Sequence, residues 1–217
     1  LIITPSSFNS QAEKLATFHR NYSQLNVKVV NLENIYQEFS SGKQDIAAIR
    51  NCIKYIYNNA SSTEKRVQYV NLFGDASFDY KKRITNNTNI VPIYESLTSN
   101  TIGEASFASD DFYCLMDDSE GNITTFYGGM DIAAGRMLVS TTTQAEEMVN
   151  KVIEYYNKKA YGSWRNNYVT LSDDSDKSTD ASLQSRQNTL ADEITLQKPF
   201  LNVSKIFLDS YTQEASA

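Results

Sequence analysis

Short apolar runs alternate with stretches whose apolar positions recur every three or four residues along this 217-residue chain. Leu1–Thr4 reads as a strand, and Gln11–Tyr22 as a helix with Leu15, Phe18 and Tyr22 on one face. Val27–Leu32 is a second strand carrying Val27, Val29 and Val30. Asp45–Tyr57 places Ile46, Ile49, Ile53 and Ile56 at helical spacing. Strands follow at Val67–Phe73, closed by Gly74-Asp75, and at Ile132–Leu138. Thr143–Lys158 is a helix with Met148, Val149, Val152, Ile153 and Tyr156 on one side. A further round comprises strand Tyr168–Leu171, helix Ser182–Leu196 and strand Val203–Leu208.

This alternation predicts an α/β fold with a mainly parallel sheet covered on both faces. Right-handed crossovers then bring the loops that follow the strands to one edge, where open α/β sheets present functional groups. The chain divides into a first unit over 1–160 and a second over 161–217, joined through the segment 161–166. The second unit has two strands and one helix, too little to bury a core alone, so it reads as the incomplete start of a larger unit. The opening strand Leu1–Thr4 likewise looks like a domain cut from a longer precursor. The segment from Asp75 to Met130 has no strong period, and a loop of that length in a compact domain is usually functional or mobile.

Composition narrows the function. The net charge of −6 and pI near 4.9 argue against nucleic acid, which needs a basic face. The longest basic run, Lys81-Lys82-Arg83, reads as a solvated loop. The apolar runs are strand-sized, so no membrane-spanning segment is expected. Two cysteines, Cys52 and Cys114, make no disulfide framework, and Cys52 reads as a small core residue in a helix.

Few residues have the makings of a catalytic site. His19 is the one histidine, so a Cys–His pair would have to join it to Cys52 or Cys114. It lies in mid-helix beside the apolar stripe, which suits a partly exposed helix residue rather than a base. Asp75, after a buried strand, could cap its turn through local N–H groups or present a carboxylate at the sheet edge. Asp110, Asp111, Asp117, Asp118 and Glu120 crowd around Phe112–Met116; oxygen ligands at that density could hold calcium, although the spacing is not that of an EF-hand. The alternative is a solvated acidic turn. Asp173, Asp174, Asp176 and Asp180 follow the strand Tyr168–Leu171, either as strand-end functional groups or as acids favouring the next helix N-terminus. Gly135 permits a close backbone approach, and Arg136 can pair with a carboxylate of the acidic loop.

Leu72-Phe73-Gly74-Asp75, then Ser109-Asp110-Asp111-Phe112-Tyr113, then Asp131-Ile132-Ala133-Ala134-Gly135-Arg136 and its helix occur in an order that resembles the gingipain-type cysteine peptidases. Within that family the likeness is strongest to the PorU-type sortases of type IX secretion. The resemblance implies a caspase-like fold of two αβα sandwiches, with this chain holding the first subdomain and the start of the second. It implies a Cys–His dyad beyond residue 217, hence no activity in the chain alone. Asp173 matches the family's histidine-orienting acid, with Asp174 beside it. The resemblance further implies protein or peptide substrates, partnership with the remainder of the catalytic domain, no required cofactor with calcium left open, and a bacterial cell-surface, outer-membrane or secreted location. Two other readings stand beside it: a non-catalytic α/β binding module of a bacterial surface protein, and a small-molecule enzyme using Asp75.

Overall fold

The computed structural model of the chain describes residues 1–96, 107–121, 129–157, 161–174 and 181–212. Contacts divide it into two units, Leu1–Tyr156 and Asn157–Ala217.

In the first unit, β1 (Ile2–Thr4), α1 (Asn9–Tyr22), β2 (Val29–Asn31), α2 (Leu32–Ser40), α3 (Ile46–Asn58) and β3 (Tyr69–Phe73) follow one another. The short pair β4 (Tyr94–Glu95) and β5 (Ala108–Ser109) precedes β6 (Ala133–Met137) and α4 (Thr142–Tyr156). Four parallel strands form the sheet in the order β2-β1-β3-β6. Ile2 opposes Val29 on one side and Asn71 on the other, and Leu72 opposes Arg136. Successive residues of a strand point to opposite faces, and both faces are buried. Ile3, Val70 and Leu72 pack with Leu32 and Ile35 of α2 and with Ala48, Ile49 and Ile53 of α3. Ile2 and Phe73 pack with Ala12, Leu15 and Ala16 of α1 and with Ala145 and Val149 of α4. Each fully buried isoleucine of α3 contributes roughly 1.5–3 kcal/mol, and Asp45 starts that helix by accepting the Ala47 N–H at 2.8 Å.

Beyond β1 the chain moves outward to β2; beyond β3 it moves the other way to β6. The carboxyl ends of β1 and β3 therefore bound a topological switch point, the place where such sheets leave a crevice.

Several expectations change. The strand expected over Val27–Leu32 is only Val29–Asn31, and a helix, α2, begins at Leu32. Leu32, Ile35, Tyr36 and Phe39 have helical spacing and form its packed face. Tyr22, on the helix face of Leu15 and Phe18, is exposed and stacks on Phe18 with ring centroids 5.2 Å apart. The stretch Phe112–Met116, inside the expected solvated acidic turn, is buried from end to end. Its Tyr113 hydroxyl donates to the Pro92 carbonyl at 2.6 Å.

In the second unit, β7 (Asn167–Ser172) and β8 (Asn202–Phe207) pair in parallel, with α5 (Ala181–Gln197) between them in sequence. The helix covers one face: Thr170 donates to Gln187 at 2.7 Å, and Lys205 reaches Asn188 at 2.7 Å and Asp192 at 2.6 Å. On the other face Val169, Leu171 and Ile206 are exposed, Leu171 at 68%.

The close approach expected at Gly135 occurs at Gly74 instead. A Cβ on Gly135 would meet nothing within 4 Å. One on Gly74 would lie 2.7 Å from the Ile90 Cγ2 and 2.8 Å from the Val91 Cγ2, both on stiff β-branched side chains. Gly74→Ala should destabilise the chain by about 1–3 kcal/mol in urea unfolding, while Gly135→Ala should be tolerated. Equal midpoints for the two variants would contradict this packing.

Candidate functional site at the strand ends

The carboxyl edge of the first sheet is organised by Arg136, which β6 places beside the end of β3. A guanidinium has five N–H donors in a planar fork, and each one here has an acceptor. Nε and Nη2 bond the two carboxylate oxygens of Asp110 at 2.9 and 2.6 Å. Nη1 donates to the carbonyls of Gly74 at 2.9 Å and Val91 at 2.7 Å. Nη2 also reaches the Pro92 carbonyl at 3.4 Å. The Arg136 side chain is 8% exposed and that of Asp110 22%. The carboxylate that pairs with Arg136 is that of Asp110, expected from the sequence to bond backbone in a solvated turn. With every donor engaged, Arg136 shapes the edge and has no free N–H for a substrate.

Asp75 caps its turn, accepting the Ala76 N–H at 2.9 Å, and its second carboxylate oxygen takes the Ser140 hydroxyl at 3.3 Å. Its carbonyl accepts the N–H groups of Ile90 and Val91 at 3.0 and 2.9 Å, closing the segment 75–91 into a loop. Inside that loop Asp79 accepts the Ile84 N–H at 2.7 Å and the Asn87 amide at 2.9 Å. The Ile84 N–H holds the Asp79 carboxyl below its usual range; burial opposes this, and Asn87 and Arg83 add to it.

The other acids do not converge. Asp118 pairs with Lys54 at 2.6 Å, Glu120 accepts the Asp117 N–H at 2.9 Å, and Asp131 accepts the Met116 N–H at 2.7 Å. Among the described residues no three acidic, histidine or cysteine side chains gather as a metal site would require.

No nucleophile–base pair forms either. Cys52 and Cys114 are free, buried thiols on the α2/α3 side of the sheet. Burial pushes the Cys52 thiol up, and burial with Asp111 and Asp110 pushes Cys114 to about 11, so neither supplies a thiolate at neutral pH. His19 belongs to α1, which packs on the opposite face. Its Nδ1 lies 3.0 Å from the Ser23 hydroxyl, its ring meets Phe18 and Tyr156, and burial lowers its pKa.

In the second unit Asp173 and Asp174 follow β7 directly, at its carboxyl end. Asp173 is exposed and accepts the Asp174 N–H at 3.1 Å. Asp176 and Asp180 lie outside the described residues.

A parallel α/β sandwich of this strand order, with its loops gathered at one edge, is a gingipain-like fold. The chain belongs to peptidase family C25, whose model matches residues 1–217. A solved structure, dimeric latent PorU from Porphyromonas gingivalis, is similar to it, with a TM-score of 0.60 and 29% identity, covering 76% of this chain. The chain spans 16% of the length of that PorU chain. No curated protein matches it.

Two outcomes follow for the edge. Removing one partner of a part-buried ion pair leaves the other short of acceptors, so Asp110→Ala should cost about 1–3 kcal/mol in chemical denaturation; a loss near zero would show that Arg136 is held by its carbonyls alone. Asp79, with its folded pKa depressed, contributes stability that is complete above the unfolded carboxyl pKa of about 3.9 and is lost as pH falls through the folded value. The difference in urea midpoint between the chain and Asp79→Asn should therefore be constant near neutrality and shrink in acid. A difference that stays level into acid would refute the assignment.

Proposed function

We propose that the chain is the front part of the catalytic domain of a gingipain-like cysteine endopeptidase. Residues 1–160 form the first αβα subdomain, and 161–217 begin the second, catalytic one in a caspase-like arrangement. The observation that carries this is the face of the β7–β8 pair left bare among the described residues. A parallel sheet is normally covered on both faces, and Val169, Leu171 and Ile206 call for further chain against them. The C25 family match supports the peptidase chemistry.

In this reading a cysteine thiolate and a histidine supplied by chain beyond residue 217 attack and protonate the scissile amide, and backbone N–H groups hold the oxyanion. Asp173 is the positioning acid, at a strand end with one carboxylate oxygen unpartnered among the described residues. A carboxylate there holds an imidazole in one tautomer and stabilises its cation. The mechanism needs no cofactor. The likeness to PorU supports a sortase role in type IX secretion, in which C-terminal sorting domains are removed from secreted proteins at the bacterial surface. Among the described residues no helix is long and apolar enough to cross a membrane. A non-catalytic α/β binding module is the second reading, favoured by the distance in the fold between His19 and both thiols.

The purified 217-residue chain should show no turnover of peptide substrates. In the parent protein, Asp173→Asn should lower kcat by about 10²-fold or more with KM little changed, and should displace the acidic limb of the pH–rate profile. Unaltered kcat and pH profile would remove Asp173 from the mechanism. Turnover by the chain itself would overturn the assignment of the dyad to other residues.

A further inference from the structure

The loop that leaves β3 carries three large apolar side chains in the open: Phe78 is 75% exposed, Tyr80 56% and Ile84 47%. Its backbone is pinned while they stand out. The Asp79 carbonyl accepts the Lys82 N–H at 3.1 Å and the Asn87 amide at 2.6 Å, and the Ser77 hydroxyl accepts the Asp79 N–H at 3.2 Å. Gln44, just before α3, donates its side-chain amide to the Tyr80 carbonyl at 3.3 Å. Phe78, Tyr80 and Ile84 border one hollow of about 290 Å³, and Asp79, Lys81 and Arg83 complete its lining. Solvation accounts for the basic run Lys81-Lys82-Arg83, but not for three apolar side chains held among those charges. An apolar cluster in a fixed loop, rimmed by charge, fits an interaction site.

Charge selects the partner. Among the described residues none of Lys81, Lys82 and Arg83 forms an ion pair. The Lys81 Nζ lies 5.3 Å from the centroid of the Tyr80 ring, a contact that leaves its charge unneutralised. Asp79 is the one acid lining the hollow, and its carboxylate is taken by the Ile84 N–H and the Asn87 amide. Glu95, which feels the Asp79 charge, does not line it. The lining thus has two open cations against one engaged anion. Its apolar wall suits an apolar side chain, and its charge suits an acid next to that side chain. We propose that this loop docks an acidic peptide segment, one apolar residue seated between Phe78, Tyr80 and Ile84 and the neighbouring carboxylates on Lys81 and Arg83. A bilayer is the poorer partner. A hollow receives a side chain, whereas a membrane takes a protruding wedge. An extended anionic surface would also meet the chain's net charge of −6, whereas a short peptide meets only the charge within a Debye length, about 8 Å in physiological salt. The proposal does not depend on the peptidase reading.

The test is a titration of the 15N-labelled 217-residue chain followed at the backbone amides of residues 78–84. The probe is a blocked pentapeptide with leucine at its centre and an aspartate and a glutamate on each side. Its controls carry asparagine and glutamine for the acids, or serine for the leucine, and phosphatidylglycerol vesicles are tested separately. A saturable shift with the acidic peptide is expected, weakened by added salt. Affinity should fall roughly 2- to 5-fold in Arg83→Gln, as for one exposed charge pair, and roughly 5- to 10-fold in Phe78→Ser, which removes an apolar wall. Lys81→Gln serves if Arg83→Gln does not fold. No saturable shift, equal binding of the neutral or the serine peptide, or an unchanged affinity in Phe78→Ser would overturn the proposal. Binding to the vesicles with no response to the peptide would overturn it in favour of a membrane surface.

Discussion

The five donors of Arg136 are the constraint on which the first unit's functional edge depends. Two of its acceptors are carboxylate oxygens from Asp110, and the others are carbonyls of Gly74, Val91 and Pro92. One side chain thus joins the end of β3, the returning segment near Val91 and the start of the Asp110–Met116 stretch. Those segments lie far apart in sequence and share no regular ladder at these points. A charged fork in a partly desolvated place can hold them because every donor is used. A half-satisfied guanidinium there would be a liability rather than a clamp. Gly74 completes the arrangement, since only a residue without a Cβ lets Ile90 and Val91 lie against the turn.

The two units meet the demands of a parallel sheet differently. In the first, α1 and α4 cover one face and α2 and α3 the other, so Ile2, Ile3, Val70, Leu72 and Phe73 are buried on both sides. In the second, among the described residues, α5 covers one face only. The same division separates the reactive side chains of the first unit. His19 sits with α1, while Cys52 and Cys114 lie across the sheet under α2 and α3. Burial that makes the two thiols good core residues also keeps them protonated. Their environment is that of structural cysteines.

Much of this was legible in the sequence wherever burial is periodic. Ile46, Ile49 and Ile53 marked α3, and Val149 and Val152 marked α4, because their apolar faces repeat with the helix. The helix α2 was masked because Leu32 continues the apolar run of Val27–Val30, and only the spacing through Tyr36 and Phe39 distinguishes it. Phe112–Met116 was hidden by its acidic neighbours: Asp111 and Asp117 face solvent while the five residues between them are buried. That Arg136 takes a carboxylate was anticipated from charge alone, but neither Asp110 as its partner nor its carbonyl acceptors were, since backbone groups leave no trace in residue types.

Thiol labelling of the folded chain with a peptidyl electrophile, read by mass spectrometry, tests most directly whether this chain is scaffold rather than nucleophile. Neither Cys52 nor Cys114 should react in the native state, and both should react in denaturant. Rapid labelling of one cysteine in the native chain, faster with the peptidyl reagent than with a simple alkylating agent, would show a working nucleophile within residues 1–217 and contradict the account.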